Sequence, residues 1–188
     1  MEQKNTNNQN LLLLLIGAGL VLVAVLAFLT LPKEQANRAT ANMAAAPRTV
    51  DFLAPNIKLT DLQGKPAAFS DYKGQVILYN AWATWCPPCQ EEMPALEAFY
   101  QVHKQAGFVV IAIEDGQPVP EVEAYVKSHG LTFPVWPDTD WIATYTFGVK
   151  NLPTSYVIDR NGHARLMWVG PITRELLEQY VSPLLKEQ

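Results

Sequence analysis

The first pattern along the chain is an unbroken apolar run. Leu11 to Leu31 is uncharged for 21 residues and dominated by Leu, Val and Ala, and no charge falls between Lys4 and Lys33. About 20 such residues in a helix cover the hydrocarbon core of a bilayer. A core helix of a soluble domain would be shorter and keep a polar stripe. The run therefore predicts a transmembrane anchor over 11–31. A cleaved signal peptide is the rival, but its apolar region is usually about 7–15 residues and ends in a small-residue cleavage site. Here Ala44-Ala45-Ala46 lies well past the end of the run. The first cysteine is Cys86, so nothing follows the run that could be lipid-modified. Residues 1–10 form a short polar tail. Residues 32–48, mixed in character and without periodicity, read as a flexible linker. The folded domain is expected over 49–188. Lys4 precedes the run while Lys33, Arg38 and Arg48 follow it, so the charge bias does not fix the orientation.

Beyond the linker the pattern changes to short elements. Asn56 to Phe69 predicts a hairpin around Gln63-Gly64, and Asp71 to Gly74 a turn. Val76 to Ala81 is a continuous β-prone run, as a central buried strand requires. Pro88 to Gln105 carries Met93, Leu96, Phe99 and Tyr100 at helical spacing, and Gly107 stops it. Phe108 to Ile113 is a second buried strand. Pro120 to His129 predicts a helix ended by Gly130, Phe133 to Trp136 an extended segment, and Trp141 to Phe147 a short helix. Thr154 to Asp159 and Ala164 to Val169 flank an Asn161-Gly162 turn. Thr173 caps a last helix running to Leu185. A β-α-β unit demands parallel strands, and the closing hairpin adds antiparallel ones. The predicted fold is α/β: a mixed central sheet with helices on both faces, an N-terminal hairpin extension and a separate transmembrane helix.

Charge narrows the partners. From Val50 onward ten Lys and Arg stand against sixteen Asp and Glu, a net −6, with no basic run. Phosphate binding needs clustered cations, so nucleic acid is not the expected partner.

The candidate chemistry is Trp85-Cys86-Pro87-Pro88-Cys89. These are the only two cysteines, and a bridge over so short a loop staples little. They lie where the central strand meets the long helix. A thiol at a helix start meets unpaired N–H groups and the positive end of the dipole, which favour the thiolate. Proline suits that first turn, because its missing N–H would be unpaired anyway. Cys86, at the edge, is the expected nucleophile. Cys89, one turn inside, is the expected resolving thiol. Zinc needs four ligands and no further Cys is present, while His103, His129 and His163 are scattered singly, so no metal is expected. Haem attachment would need His where Gln90 stands.

From Val50 to the C-terminus the chain resembles the TlpA/ResA-like branch of the thioredoxin superfamily. The residues that carry this are Asn80 to Cys89, Glu92-Met93-Pro94 and Leu152-Pro153-Thr154, with Phe133-Pro134-Val135 and Asp138-Thr139-Asp140 in support. The resemblance implies a thioredoxin-like fold and a thiol–disulfide oxidoreductase. It implies that Pro153 is a cis-proline facing the dithiol, and that Leu152 beside it offers backbone to an extended client segment. It places Trp85 beside Cys86, with Pro87 and Pro88 among the orienting residues. It implies that Glu92 lies near the cysteines, influences their titration and handles the resolving thiol's proton. Ordinary thioredoxins carry a buried Asp six residues before the first cysteine. Asn80 stands there, and an amide cannot shuttle protons.

The leading function is reduction of disulfides in exported proteins, with apocytochrome c as the client class that the branch implies. Electrons would come from a membrane thiol relay of the CcdA/DsbD type. The expected location is a bacterial cell membrane, single-pass, with the domain on the extracytoplasmic side. No cofactor beyond the dithiol is required. The alternatives are a disulfide-forming oxidant and a copper-handling module. A reduction potential near roughly −270 mV marks a reductant and one near roughly −120 mV an oxidant. A copper module would use wider cysteine spacing and a distal His. A peroxidase would carry Thr three residues before the cysteine, whereas Thr84 is two before Cys86.

Overall fold

The computed structural model describes residues 13, 15–17, 19–22 and 46–186. The chain divides into two compact units, Met1–Thr40 and Ala41–Gln188. The anchor expected over 11–31 and the linker expected over 32–48 fall largely outside the described residues. The described positions of the first unit are helical and exposed. No helix among the described residues is long and apolar enough to cross a membrane.

The second unit is built on a six-stranded sheet in the order β1-β8-β7-β4-β5-β6. The strands are β1 (Arg48–Leu53), β4 (Val76–Trp82), β5 (Phe108–Glu114), β6 (Val135–Pro137), β7 (Thr154–Ile158) and β8 (His163–Val169). Strands β2 (Lys58–Thr60) and β3 (Pro66–Ala68) form a separate two-stranded sheet, the expected hairpin. The helices are α1 (Pro87–His103), α2 (Val119–His129), α3 (Ile142–Thr146), α4 (Arg174–Tyr180) and α5 (Ser182–Lys186). β4 runs parallel to β5 and antiparallel to β7, so the sheet is mixed as predicted.

Every residue of β4 and β5 is buried, because the sheet is covered on both faces. Alternate side chains divide between two cores. Val76, Leu78 and Trp82 face one core with Met93, Leu96 and Phe99 of α1, Val122 of α2 and Leu177 of α4. Ile77, Tyr79 and Ala81 face the other with Ile57, Phe69, Ala143 and Phe147. Helices cover both faces, as expected, but on the second face the only α-helix among the described residues is the short α3. The second face is covered by the β2–β3 hairpin, the 3-10 turn Phe69–Tyr72 and the short α3. The aromatic bulk of Phe69, Tyr79, Phe147 and Tyr156 fills the space that a longer helix would take.

Two elements differ from expectation. Strand β1 was not predicted, and it begins at Arg48, the last residue assigned to the linker. It is an edge strand, exposed at five of its six positions, with an irregularity between Thr49 and Phe52, so it carries no alternation to read. The last helix is two: Thr173 caps α4 as expected, but the chain breaks at Val181 before α5. Pro183 has no N–H for the carbonyl of Gln179, so one continuous ladder cannot form. Gly107, at φ 81°, ends the α1 region as its position required.

Candidate active site

Cys86 and Cys89 sit at the point where β4 delivers the chain into α1. Cys86 is the N-cap residue, extended at φ −92° and ψ 105°, and Pro87 opens the helix. The backbone N–H of Cys89 points at the Cys86 sulfur, 3.3 Å away. A helix-terminal donor is therefore already aimed at the atom on which negative charge would develop. The two sulfurs are joined as a disulfide, with Cα atoms 5.3 Å apart. Cys86 keeps 4% of its surface and Cys89 none. Of the two, only Cys86 lines a groove.

Five of the expected residues line one groove of about 430 Å³: Trp85, Cys86, Pro87, Pro88 and Leu152. Asp115, Thr144, Val149, Lys150 and Asn151 complete its walls. The Leu152–Pro153 bond is cis, as the resemblance implied. Pro153 is buried behind Leu152, and its carbonyl accepts the N–H of Gly170, 2.9 Å away, which fixes the loop against the start of the α4 approach. Trp85 is 64% exposed, so simple core packing does not account for it, whereas Trp82 is fully buried in the core.

Glu92 does not line the groove. It lies one helical turn beyond Cys89 on the buried face of α1. Its Oε1 accepts from Asn80 Nδ2 at 2.7 Å and its Oε2 from the backbone N–H of Ile172 at 2.8 Å. Asn80 Nδ2 also donates to Ser155 Oγ at 2.9 Å. Burial pushes the Glu92 carboxyl up to about 8, and the two donors bring it only partway back. At neutral pH the group holds its proton, so it can exchange one within the pH range in which thiols titrate. Asn80 Oδ1 is buried with no partner among the described residues. When Glu92 is protonated, a half-turn of the Asn80 amide offers that oxygen to the carboxyl O–H.

Three parts of this arrangement were not anticipated. Ser155 stands opposite Asn80 in the β4–β7 register and reads in sequence as an ordinary strand residue. The Ile172 donor is backbone and has no sequence signature. Thr84, just before the dithiol, is held by side chains of Gln90 and Gln117. Behind it Glu114 is buried at the end of β5. Burial pushes its carboxyl up to about 7, partly offset by the Gln117 N–H. A carboxylate ending an otherwise apolar strand was the available signal.

Residues 50–167 match the AhpC/TSA family, and the chain aligns with the thiol-disulfide oxidoreductase ResA of Geobacillus kaustophilus at 36% identity, covering 72% of this chain and 78% of the relative. The chain belongs to this family. ResA of Bacillus thuringiensis is 38% identical over 70% of this chain and 76% of its own. Among solved structures, a thioredoxin-family thiol:disulfide interchange protein from Chlorobium tepidum superposes with a TM-score of 0.65 at 29% identity, over 75% of this chain and 99% of that one. The ResA-like assignment and the thioredoxin-like fold read from the sequence agree with these matches, and Cys86–Cys89 is the redox pair of a thiol–disulfide oxidoreductase.

Proposed function

We propose that the protein is a membrane-tethered, extracytoplasmic reductant of disulfides in exported proteins. Its dithiol is recharged by a membrane thiol relay of the CcdA/DsbD type, and apocytochrome c is the client class. The observation that carries the mechanism is the unequal setting of the two sulfurs: Cys86 caps a helix and opens on a groove, while Cys89 is sealed behind it. The apolar run 11–31 supports the tether, and the alignment with ResA proteins supports the thiol–disulfide exchange itself.

In the reduced protein the helix-end donors favour the Cys86 thiolate. That thiolate attacks one sulfur of the client disulfide, and the other client sulfur leaves as a thiolate. Cys89 gives its proton to the released client thiolate and attacks the Cys86 sulfur of the mixed disulfide, while the neutral Glu92 carboxyl sets no like charge against the forming Cys89 thiolate. The Cys86–Cys89 bond closes and the second client sulfur departs. Two electrons have moved from the dithiol to the client, and the two client thiolates take up the two protons that the cysteines lost. Leu152, ahead of cis-Pro153, supplies the backbone edge on which an extended client lies, and Trp85, Pro87 and Pro88 form the facing wall.

Trapping tests the roles. Cys89→Ser in the full-length protein should accumulate clients disulfide-linked through Cys86, while Cys86→Ser should trap none. The reverse pattern reverses the assignment. A reduction potential close to roughly −270 mV supports the reductant, and one near roughly −120 mV would replace it with an oxidant.

A further inference from the structure

Thr84 lies between the end of β4 and Cys86, and all three of its polar atoms are engaged. Its backbone N–H donates to Gln117 Oε1 at 3.1 Å, and its hydroxyl donates to the same oxygen. Its carbonyl accepts from the Gln90 side chain, which comes from the first turns of α1. The partner that does most of this, Gln117, belongs to the turn between β5 and α2. It is itself held at both ends: its backbone N–H donates to Glu114 Oε2 at 2.9 Å, and its side-chain amide donates to Glu121 Oε2 at 3.0 Å. Glu114 is buried and paired in register with Trp82, so the brace is anchored in the central sheet.

The two turns meet because β4 and β5 are parallel neighbours, so both crossovers leave the same end of the sheet. The consequence bears on the dithiol. Ala83 is buried and its carbonyl accepts the Cys86 N–H at 3.2 Å, but Trp85 is mostly exposed, so of the two residues directly before Cys86 only Thr84 is held by side-chain contacts. We propose that Gln117, braced by Glu114 and Glu121, is a positioning residue that clamps Thr84 and thereby aims the Cys86 sulfur at the disulfide of a docked client. The proposal rests on Cys86 being the attacking sulfur.

A docked protein client has a fixed approach, and exchange needs the three sulfurs nearly in line. A displacement of a fraction of an ångström at Cys86 is then costly. A small reagent can adjust its own approach, so the same displacement barely matters to it. Loss of the clamp should separate the two reactions, which a general loss of stability would not do.

The test uses the full-length reduced protein with two probes, insulin and 5,5′-dithiobis(2-nitrobenzoate). Gln117→Ala should slow insulin reduction on the order of ten-fold, chiefly in kcat. Its reaction with the small disulfide should stay within about two-fold of the unchanged protein. Gln117→Glu combined with Glu121→Gln keeps an acceptor oxygen for both Thr84 donors and reverses the donor in the brace, and should restore most of the insulin rate. Thr84→Ala removes one of the two donors and serves as an independent variant should Gln117→Ala fail to fold; it should show the same selective loss to a smaller degree. Equal rates for the variants and the unchanged protein on insulin overturn the clamp, as does a parallel loss on both probes. If the unchanged protein leaves insulin intact but is competent with the small disulfide, it is the reading of Cys86 as a client reductant that fails.

Discussion

Asn80 and Glu92 meet at the interface between the central strand and the active-site helix, Nδ2 to Oε1 at 2.7 Å, with both side chains sealed from water. A carboxyl group is thus buried one turn beyond the resolving cysteine, with an amide and a backbone N–H as its partners and no cation paired with it among the described residues. Burial dominates, and the group titrates near 8 rather than near 4.5.

That displacement makes stability depend on pH in a defined direction. Between about 4.5 and about 8 the folded chain keeps a proton on Glu92 that the unfolded chain has released. The native state then binds more protons, so stability falls as pH rises through this window and levels off above it. The limiting size is roughly 3–5 kcal/mol. Glu92→Gln removes the titration while keeping the shape: its oxygen accepts from Ile172, and its amide donates to Asn80 Oδ1 once the Asn80 amide turns. Urea unfolding of the oxidised protein should find this variant more stable than the unchanged chain at pH 8.5, with the gap closing toward pH 5. Parallel pH profiles for the two proteins would show that Glu92 does not titrate in this window.

Asn80→Asp tests the same pair from the strand side. It places a second carboxyl within hydrogen-bond distance of the first, and two such acids in a buried site hold one shared proton rather than ionise together. The donor to Glu92 is lost whenever both are charged. The variant should lose about 2–4 kcal/mol at pH 8 and recover part of it at pH 5, where the pair can share a proton. Unfolding midpoints at the two values read this directly.

Much of this site was legible in the chain because its chemistry is carried by rare residues in a fixed frame. Two cysteines at helix-start spacing after an apolar strand leave few alternatives, and Asn80 stood out as a departure from the acid of ordinary thioredoxins. Strands β4, β5 and β7 were readable because complete burial favours continuous β-prone, largely apolar runs. Strand β1 was not, since an exposed edge strand imposes no pattern on its side chains. Ser155 and Gln117 escaped for a different reason. A single Ser in a strand and a single Gln in a turn are ordinary in composition, and they gain meaning only when β7 and β5 are laid beside β4.

Gly116, between Glu114 and the clamp residue Gln117, has φ +89°, and a Cβ there would stand 2.7 Å from Trp141 Nε1. Trp141 is itself held at φ 55° ahead of α3, where Asp138 accepts the N–H groups of Ile142, Ala143 and Thr144. Gly116→Ala therefore meets both a left-handed backbone and an indole that must shift to admit the methyl group. It should cost about 1–3 kcal/mol in chemical denaturation. It should also lower insulin reduction more than reaction with a small disulfide, because it displaces the turn that carries Gln117. A stability loss without that selectivity would separate the glycine's conformational role from the clamp.

Trp85 poses the opposite case, a large side chain that the free protein hardly uses. It leaves 64% of its surface in water at the rim of the groove that holds Cys86 and Leu152. Truncating an exposed side chain typically changes stability by no more than about 0.5 kcal/mol. Desolvating an indole against a partner, by contrast, makes it a strong contributor to binding. Trp85→Ala should thus leave the unfolding midpoint almost unmoved and raise KM for insulin on the order of ten-fold. kcat and the rate with 5,5′-dithiobis(2-nitrobenzoate) should be nearly preserved. This is the inverse of the pattern expected for Gln117→Ala, where kcat falls, so steady-state kinetics on the two variants distinguish a residue that contacts the client from one that aims the sulfur. An unchanged KM in Trp85→Ala, or a loss of stability beyond the surface range, would return the indole to a structural role.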